Sequence, residues 1–283
     1  MQVNRSSIVI FFVAVAVSSW ALAAAQLPAQ LPLDPTHDSG QSITGAFEGW
    51  FTQPDGKIGL LVGYFNRNAK QTFDIPVGPN NRIEPGGPDM GQPTHFLARR
   101  QWGVFTITVP KDFGDKKLTW TIVANGQTTT IPLNVNPLWV VTPYKDAGVG
   151  NTPPVIKFDP NGTAFTGPPI GIARTMTAKG SEPLDLTVWV TDDGKRAPEA
   201  AARGAQTPTL FWSKFRGPGN ITFANPRPAL DAQGKASTTA TFSAPGEYII
   251  RGQINDQTGQ GGGGFQCCWT NVHVKITVTA TAN

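Results

Sequence analysis

The stretch "LTWTIVANGQTTTIPLNV", residues 118–135, decides the fold. Leu118, Trp120 and Ile122 alternate with Thr119, Thr121 and Val123, so one face is apolar and the other mixed. Side chains of an extended chain point to opposite faces in turn, and this period of two is the mark of a strand. Asn125-Gly126 then interrupts the run, and "TTIPLNV" (129–135) resumes it. Asn and Gly accept the positive φ that a two-residue hairpin turn needs. The segment therefore reads as a β-hairpin.

The same pattern extends outward in both directions. Upstream lie "GAFEGWF" (45–51), "IGLLVGYF" (58–65), "TFDIPV" (72–77) and "WGVFTITV" (102–109), separated by turn residues such as Asp55-Gly56 and Gly114-Asp115. Downstream lie "PPVIKF" (153–158), "LDLTVWVTD" (184–192), "TLFWSKF" (209–215), "ASTTATFS" (236–243), "GEYIIRGQIND" (246–256) and "NVHVKITVT" (271–279). No comparable stretch carries a helical 3.6-residue stripe. Thirty-one Gly and 25 Pro, with only 15% charged residues, suit short strands joined by turns and suit long helices badly. The expectation is an all-β protein of two tandem immunoglobulin-like β-sandwich domains. They span 44–140 and 153–280, joined by a Pro/Gly-rich linker at 141–152.

The first residues predict export. Arg5, the apolar run "IVIFFVAVAV" and the small-residue end Ala23-Ala24-Ala25 have the form of a secretory signal peptide over 1–25, followed by a flexible segment over 26–43. The expected location is periplasmic or secreted, with no membrane span in the mature chain. Cleavage would leave about 258 residues, ample for two domains. The chain has 23 basic and 19 acidic residues, scattered rather than clustered, so a nucleic-acid partner is not indicated.

"FSAPGEYIIRGQINDQTG" (242–259) resembles the late strands of PKD and cadherin-like immunoglobulin-fold domains. Phe242, Pro245, Gly246, Tyr248 and Asp256 match their Phe-x-x-Pro-Gly-x-Tyr segment and the Asp that ends the strand. The likeness covers roughly the last 45 residues, and "NTPPVIKF" is similar to the first strand of such modules. The first half, with "DIPVGPNNRIEPGGPDMGQPTHFLARRQ", resembles exported bacterial proteins of uncharacterised activity. The resemblance implies binding or scaffolding, since PKD-like domains are mostly spacers or adhesion modules.

Candidate chemistry is sparse. Residues 78–101 form the longest irregular stretch of the first half and carry Glu84, Asp89, His95, Arg99 and Arg100. Long loops on a compact scaffold often bind ligands, and Arg forks suit acidic or sugar groups. Asp89, His95, Arg99 and Arg100 are therefore candidate binding residues. Trp212 and Trp269 join them as candidate stacking surfaces, and Phe211, Trp212 and Phe215 beside "RGPGN" (216–220) are expected to be exposed. Three histidines without ligand-like spacing give no metal site, and Asp192-Asp193 and "DPNG" (159–162) fall short of a calcium cage. No Gly-x-Ser-x-Gly elbow is present, so no catalytic residue and no cofactor is assigned.

The chain's two cysteines, Cys267 and Cys268, are adjacent, after "GQGGGG" (259–264). Three states are open: a vicinal disulfide in an oxidising compartment, two separate thiols, or a bridge to another chain. Odd positions are apolar at Phe265 and Trp269 and even ones from Val272 onward, which predicts a bulge or bend near Thr270-Asn271. The function expected is an exported, non-catalytic binding, adhesion or cell-envelope structural protein whose partner is a protein or glycan. Its contact surface would be the 78–101 loop and the Gly-rich 257–269 loop. The alternative is a carbohydrate-active enzyme or its sugar-binding accessory using Asp89, His95 and loop aromatics.

Overall fold

A computed structural model describes residues 37–180, 182–196, 207–256 and 267–280. The leader region 1–25, most of 26–43 and the Gly-rich stretch 257–266 lie wholly or largely outside the described residues. Residues 37–283 fall within one compact unit. The chain is all-β, as the alternation predicts, and the strands fall in two halves.

The first half contains β1 (Ile43–Thr52), β2 (Ile58–Asn66), β3 (Phe73–Asp74), β4 (Asn81–Glu84), β5 (His95–Phe96), β6 (Arg99–Val109), β7 (Leu118–Ala124) and β8 (Gln127–Leu133). Sheets β1-β2-β6 and β4-β7-β8 form this half with a small pair β3-β5. Their core includes Leu60, Val62, Phe105, Ile107, Trp120 and Ile122. The hairpin that opened the reading is present: Ala124 pairs with Gln127, and Asn125 and Gly126 have φ of 47° and 73°. Two successive positive φ values are what a two-residue turn between right-twisted strands requires.

The stretch 78–101 is more ordered than its composition suggests. β4 lies inside it and pairs with β7 from Asn81↔Ile122 to Glu84↔Thr119. Asn81 is fully buried; its amide donates to Ile75 O (3.0 Å) and Pro93 O (2.7 Å) and its oxygen accepts from Trp120 Nε1 (3.0 Å). One buried side chain thus satisfies the loop's backbone and the core indole together. A four-residue strand with one apolar side chain leaves too short a pattern to read from sequence.

The second half contains β9 (Val155–Lys157), β10 (Arg174–Lys179), β11 (Leu184–Thr191), β12 (Thr209–Arg216), β13 (Ile221–Phe223), β14 (Lys235–Phe242), β15 (Gly246–Asn255) and β16 (Trp269–Thr279). Its sheets run β10-β16-β15-β12 and β13-β14-β11-β9, with β10 parallel to β16 and the other pairs antiparallel. Val188, Trp212, Tyr248, Ile250, Val274 and Ile276 belong to the core. The Phe-x-x-Pro-Gly-x-Tyr segment has a local role: Tyr248 packs on Phe242 (4.9 Å between ring centres) and donates to Ala244 O (2.8 Å). Its ring lies where a Cβ at Gly217 would sit, 2.1 Å from Cδ1.

The bend expected near Thr270-Asn271 is absent. β15 and β16 pair without a register shift from Gly246↔Val278 to Asn255↔Trp269. The apparent phase change arises because both faces of β16 are covered. Val272, Val274, Ile276 and Val278 face the second core, whereas Trp269 packs with Phe51 and Leu61 of the first half.

Candidate functional site

The residues that promise chemistry gather along the seam between the halves, and two β-bulges prepare it. In β1, Phe47 pairs with Val62 and Gly49 with Leu61, so Glu48 is the extra residue. In β6, Val62 pairs with Phe105 and Tyr64 with Gln101, so 102–104 bulge out of the ladder. A bulge frees backbone groups from strand pairing and re-aims side chains. Here the freed groups find partners in the second half.

Arg251 on β15 is buried and donates three ways: to Asn271 Oδ1 (2.9 Å), to Gln101 Oε1 (3.2 Å) and to Trp102 O (2.9 Å). Asn271 donates to Gly103 O (2.9 Å), and His273 Nε2 lies 3.0 Å from Val104 O. A carbonyl only accepts, so His273 carries its proton on Nε2. The three bulged carbonyls, 102, 103 and 104, are therefore each met by a side chain from β15 or β16. Trp269 closes the same surface: a Cβ on Gly103, whose φ is 51°, would meet its Cη2 at 1.9 Å.

Beneath the bulge, the Glu48 carboxylate accepts from Arg100 Nη2 (2.6 Å) and from Gly103 N (2.7 Å). Burial raises the Glu48 carboxyl above its ordinary value despite the opposing Arg100 charge. Arg100 also stacks its guanidinium 3.7 Å from the Trp102 ring centre. Burial lowers Arg251 to about 10, against the pull of Tyr64 and Glu48, so it stays charged at neutral pH. Burial, reinforced by the Arg251 charge, lowers His273 to about 3, and the imidazole is neutral.

The outer rim is made of ion pairs. Asp89 receives a two-pronged pair from Arg216 Nη1 (2.9 Å) and Nη2 (2.8 Å), the fork geometry guanidinium favours. These bonds hold Asp89 below the usual carboxylate range. Asp74 Oδ1 accepts from Lys214 Nζ (2.8 Å) and His95 Nδ1 (3.0 Å). Burial would raise Asp74, but Lys214 and His95 outweigh it and hold the carboxyl low. His95 itself is lowered by burial, against the pull of Asp74. Thr94 N donates to Phe215 O (3.1 Å), tying the loop to β12 by main chain as well.

Asp89, His95 and Arg100 are thus brought to one seam, each with its own protein partner. Arg99, at φ 65°, sits at the exposed start of β6, where its N donates to Asn68 O (3.2 Å). The expected exposure of the aromatics is corrected. Trp212 is 1% exposed, Trp269 2% and Phe215 2%, while Phe211 is half-buried beneath Arg227. Trp212 faces the second core, and a register shift between Lys214 and Arg216 turns Phe215 into the first. The sequence reading missed Glu48, Lys214, Arg216, Arg251, Asn271 and His273. Its one usable signal was a charge inside an apolar run, in "FEGWF" and "YIIRGQI".

Cys267 and Cys268 are bonded to one another and buried, with their α-carbons 3.0 Å apart across a cis peptide. Both precede the first residue of β16, so strand alternation does not govern them. Asp256 N donates to Cys268 O (3.4 Å), and the Asp256 carboxylate accepts from Asn151 Nδ2 (2.6 Å). The chain crossing between halves is packed too: Val141 N donates to Trp50 O (2.9 Å), and Val141 and Tyr144 lie against the Trp269 cluster. Among the described residues, no group of three or more His, Cys, Asp or Glu is arranged to hold a metal ion. Among them also, no helix is long and apolar enough to cross a membrane.

No family model matches the chain, and no curated protein matches it. Among solved structures, it is similar to the D00-D0 domain of intimin, at 12% identity over 84% of this chain and 100% of that one, with a TM-score of 0.27. Domains 4 and 5 of the S-layer protein SbsC align at 10% identity over 85% and 98%, with a TM-score of 0.26. WR4, a C. elegans MSP family member, aligns at 14% identity over 36% and 92%, with a TM-score of 0.22. At scores this low the likenesses carry no function across.

Proposed function

We propose that the protein is an exported, non-catalytic binding, adhesion or cell-envelope structural module whose partner is a protein or a glycan outside the cytoplasm. The observation that carries this reading is how the reactive side chains are used. Asp89 joins the two halves through Arg216, His95 supports the Asp74 carboxylate that Lys214 of the second half also holds, and Arg100 is engaged by Glu48 within the first half. An ion pair that fixes one half on the other supports a rigid platform more readily than a general acid or base. The leader-like residues 1–25 support export.

The recognition surface on this reading is the cleft beside the rim, of about 440 Å³, lined by Asp74, Thr94, Lys214, Pro218, Asn220 and Glu247. It carries both signs of charge beside apolar surface such as Pro76 and Pro218 and is walled by both halves, which suits hydroxyl-rich or peptide-like ligands. The test is a glycan array alongside binding to purified envelope polymers, with wild type and Asn220→Trp, which blocks the cleft. Specific binding that falls at least tenfold in Asn220→Trp is expected. Unchanged binding would remove the cleft from the account, and release of reducing ends from a bound glycan would establish the enzymatic alternative instead.

A further inference from the structure

The short strand β9 leaves part of its neighbour uncovered. It pairs with β11 at Trp189↔Lys157, Val190↔Ile156 and Thr191↔Val155, so residues 185–188 of β11 have no strand on that side among the described residues. Val190 N donates to Gly234 O, on the β14 side. Main-chain groups of an antiparallel strand alternate in direction, so those of Asp185 and Thr187 turn toward the open side. A pocket of about 160 Å³ lies there, walled by Phe158, Met176, Leu186, Val188 and Trp189. Both faces of β11 border it, Leu186 and Val188 from one and Trp189 from the other, which places it at the uncovered edge. An apolar cavity of ~150 Å³ takes up a single aromatic ring.

Two opposite charges stand at its mouth. Arg174 and Asp185 both border the pocket and both are exposed. Arg174 lies two residues before Met176 on β10, so the two side chains leave the same face of that strand. Its guanidinium donates from Nη1 to Phe158 O (3.2 Å) and has no other acceptor among the described residues. Among them also, the Asp185 carboxylate has no hydrogen-bond or ion-pair partner, so the two charges are not spent on each other. A guanidinium fork suits a carboxylate, and a carboxylate suits an ammonium. A ligand with one charge would meet a like charge across the mouth, and an uncharged one would leave both groups unused. A zwitterion with an apolar tail satisfies both and fills the recess.

We propose that this pocket binds a free α-amino acid with an apolar side chain, its carboxylate on Arg174, its ammonium on Asp185 and its side chain in the recess. The proposal is independent of the cleft at the seam. L-phenylalanine is the probe, beside phenylpropionate, which lacks the ammonium, and phenethylamine, which lacks the carboxylate. In protein labelled with ¹⁵N-tryptophan, the Trp189 indole resonance is assigned by its loss in Trp189→Phe. Titration with L-phenylalanine should move that resonance saturably. Arg174→Gln should weaken L-phenylalanine and phenylpropionate about five- to tenfold and should not weaken phenethylamine. Asp185→Asn should weaken L-phenylalanine and phenethylamine by a similar factor and should not weaken phenylpropionate. Both positions are exposed, so both variants should fold as the wild type does. Met176→Trp, which fills the recess from β10, should abolish binding of all three. No saturable movement of the Trp189 resonance, the same response of all three compounds to both charge variants, or undiminished binding to Met176→Trp would overturn the proposal.

Discussion

His273 and Arg251 stand one above the other on the seam face of β15 and β16, and their chemistry has opposite demands. Arg251 remains charged with three of its N–H groups on acceptors, whereas His273 stays neutral between Phe215, 4.2 Å away by ring centres, and the Arg251 charge. A folded-state value of about 3 against an ordinary 6.5 means the unfolded chain binds the extra proton first. The stability this group contributes is therefore complete above about pH 6.5 and is lost as pH falls toward 3. We expect denaturant unfolding free energy to fall by on the order of 5 kcal/mol across that window. The variant His273→Gln, which keeps a donor for Val104 O, should flatten the dependence. An equal slope in both proteins would mean that His273 does not titrate on unfolding. Neither residue stood out beforehand: Arg251 sits on a strand face with Gln253 and Asn255, a set that reads as solvent-facing.

At the scale of elements, the two adjacent bulges do what regular strands could not. They place the Glu48 carboxylate beneath Gly103 N and present three consecutive carbonyls to the facing sheet. Gly103 is needed here for its φ of 51° and because Trp269 occupies the space of any Cβ. Gly103→Ala should cost about 2–4 kcal/mol, since the indole is rigid and held by Phe51 and Leu61. Combined with Trp269→Leu, the two losses should be clearly less than additive in a double-mutant cycle of chemical unfolding. Additive losses would show that the clash is not the source of the effect. The long strands were legible in sequence because their alternation runs for seven residues or more. β4, β5, β10 and β13 were not, since a two- to four-residue strand has no period, and β10 ("RTMTAK") has only Met176 and Ala178 as apolar residues between Arg174 and Lys179.

For the whole molecule, the seam bears on cooperativity. Phe215 of the second half belongs to the first core, and Ile249 packs against it. Arg251, Asn271 and His273 complete the backbone of β6. We expect a single calorimetric transition with matching van't Hoff and calorimetric enthalpies, although a Pro/Gly-rich crossing joins the two halves. Arg251→Met should remove the donor from three acceptors, of which Asn271 Oδ1 is buried, and destabilise by about 3 kcal/mol, which lowers Tm by roughly 6–12 °C. Two resolved transitions in the wild type would show that the halves are energetically separate.

The sequence by itself determined the all-β class, the hairpin at Asn125-Gly126 and the core face of most long strands. These follow from local rules: side-chain alternation, turn residues that accept positive φ, and burial of one apolar face. Tertiary structure decided what Asp89, His95 and Arg100 do, and where Trp212 and Trp269 lie. A polar strand face looks the same in sequence whether it meets water or another sheet. Only the bulged carbonyls of residues 102–104, brought opposite Arg251, Asn271 and His273, make that face an interior.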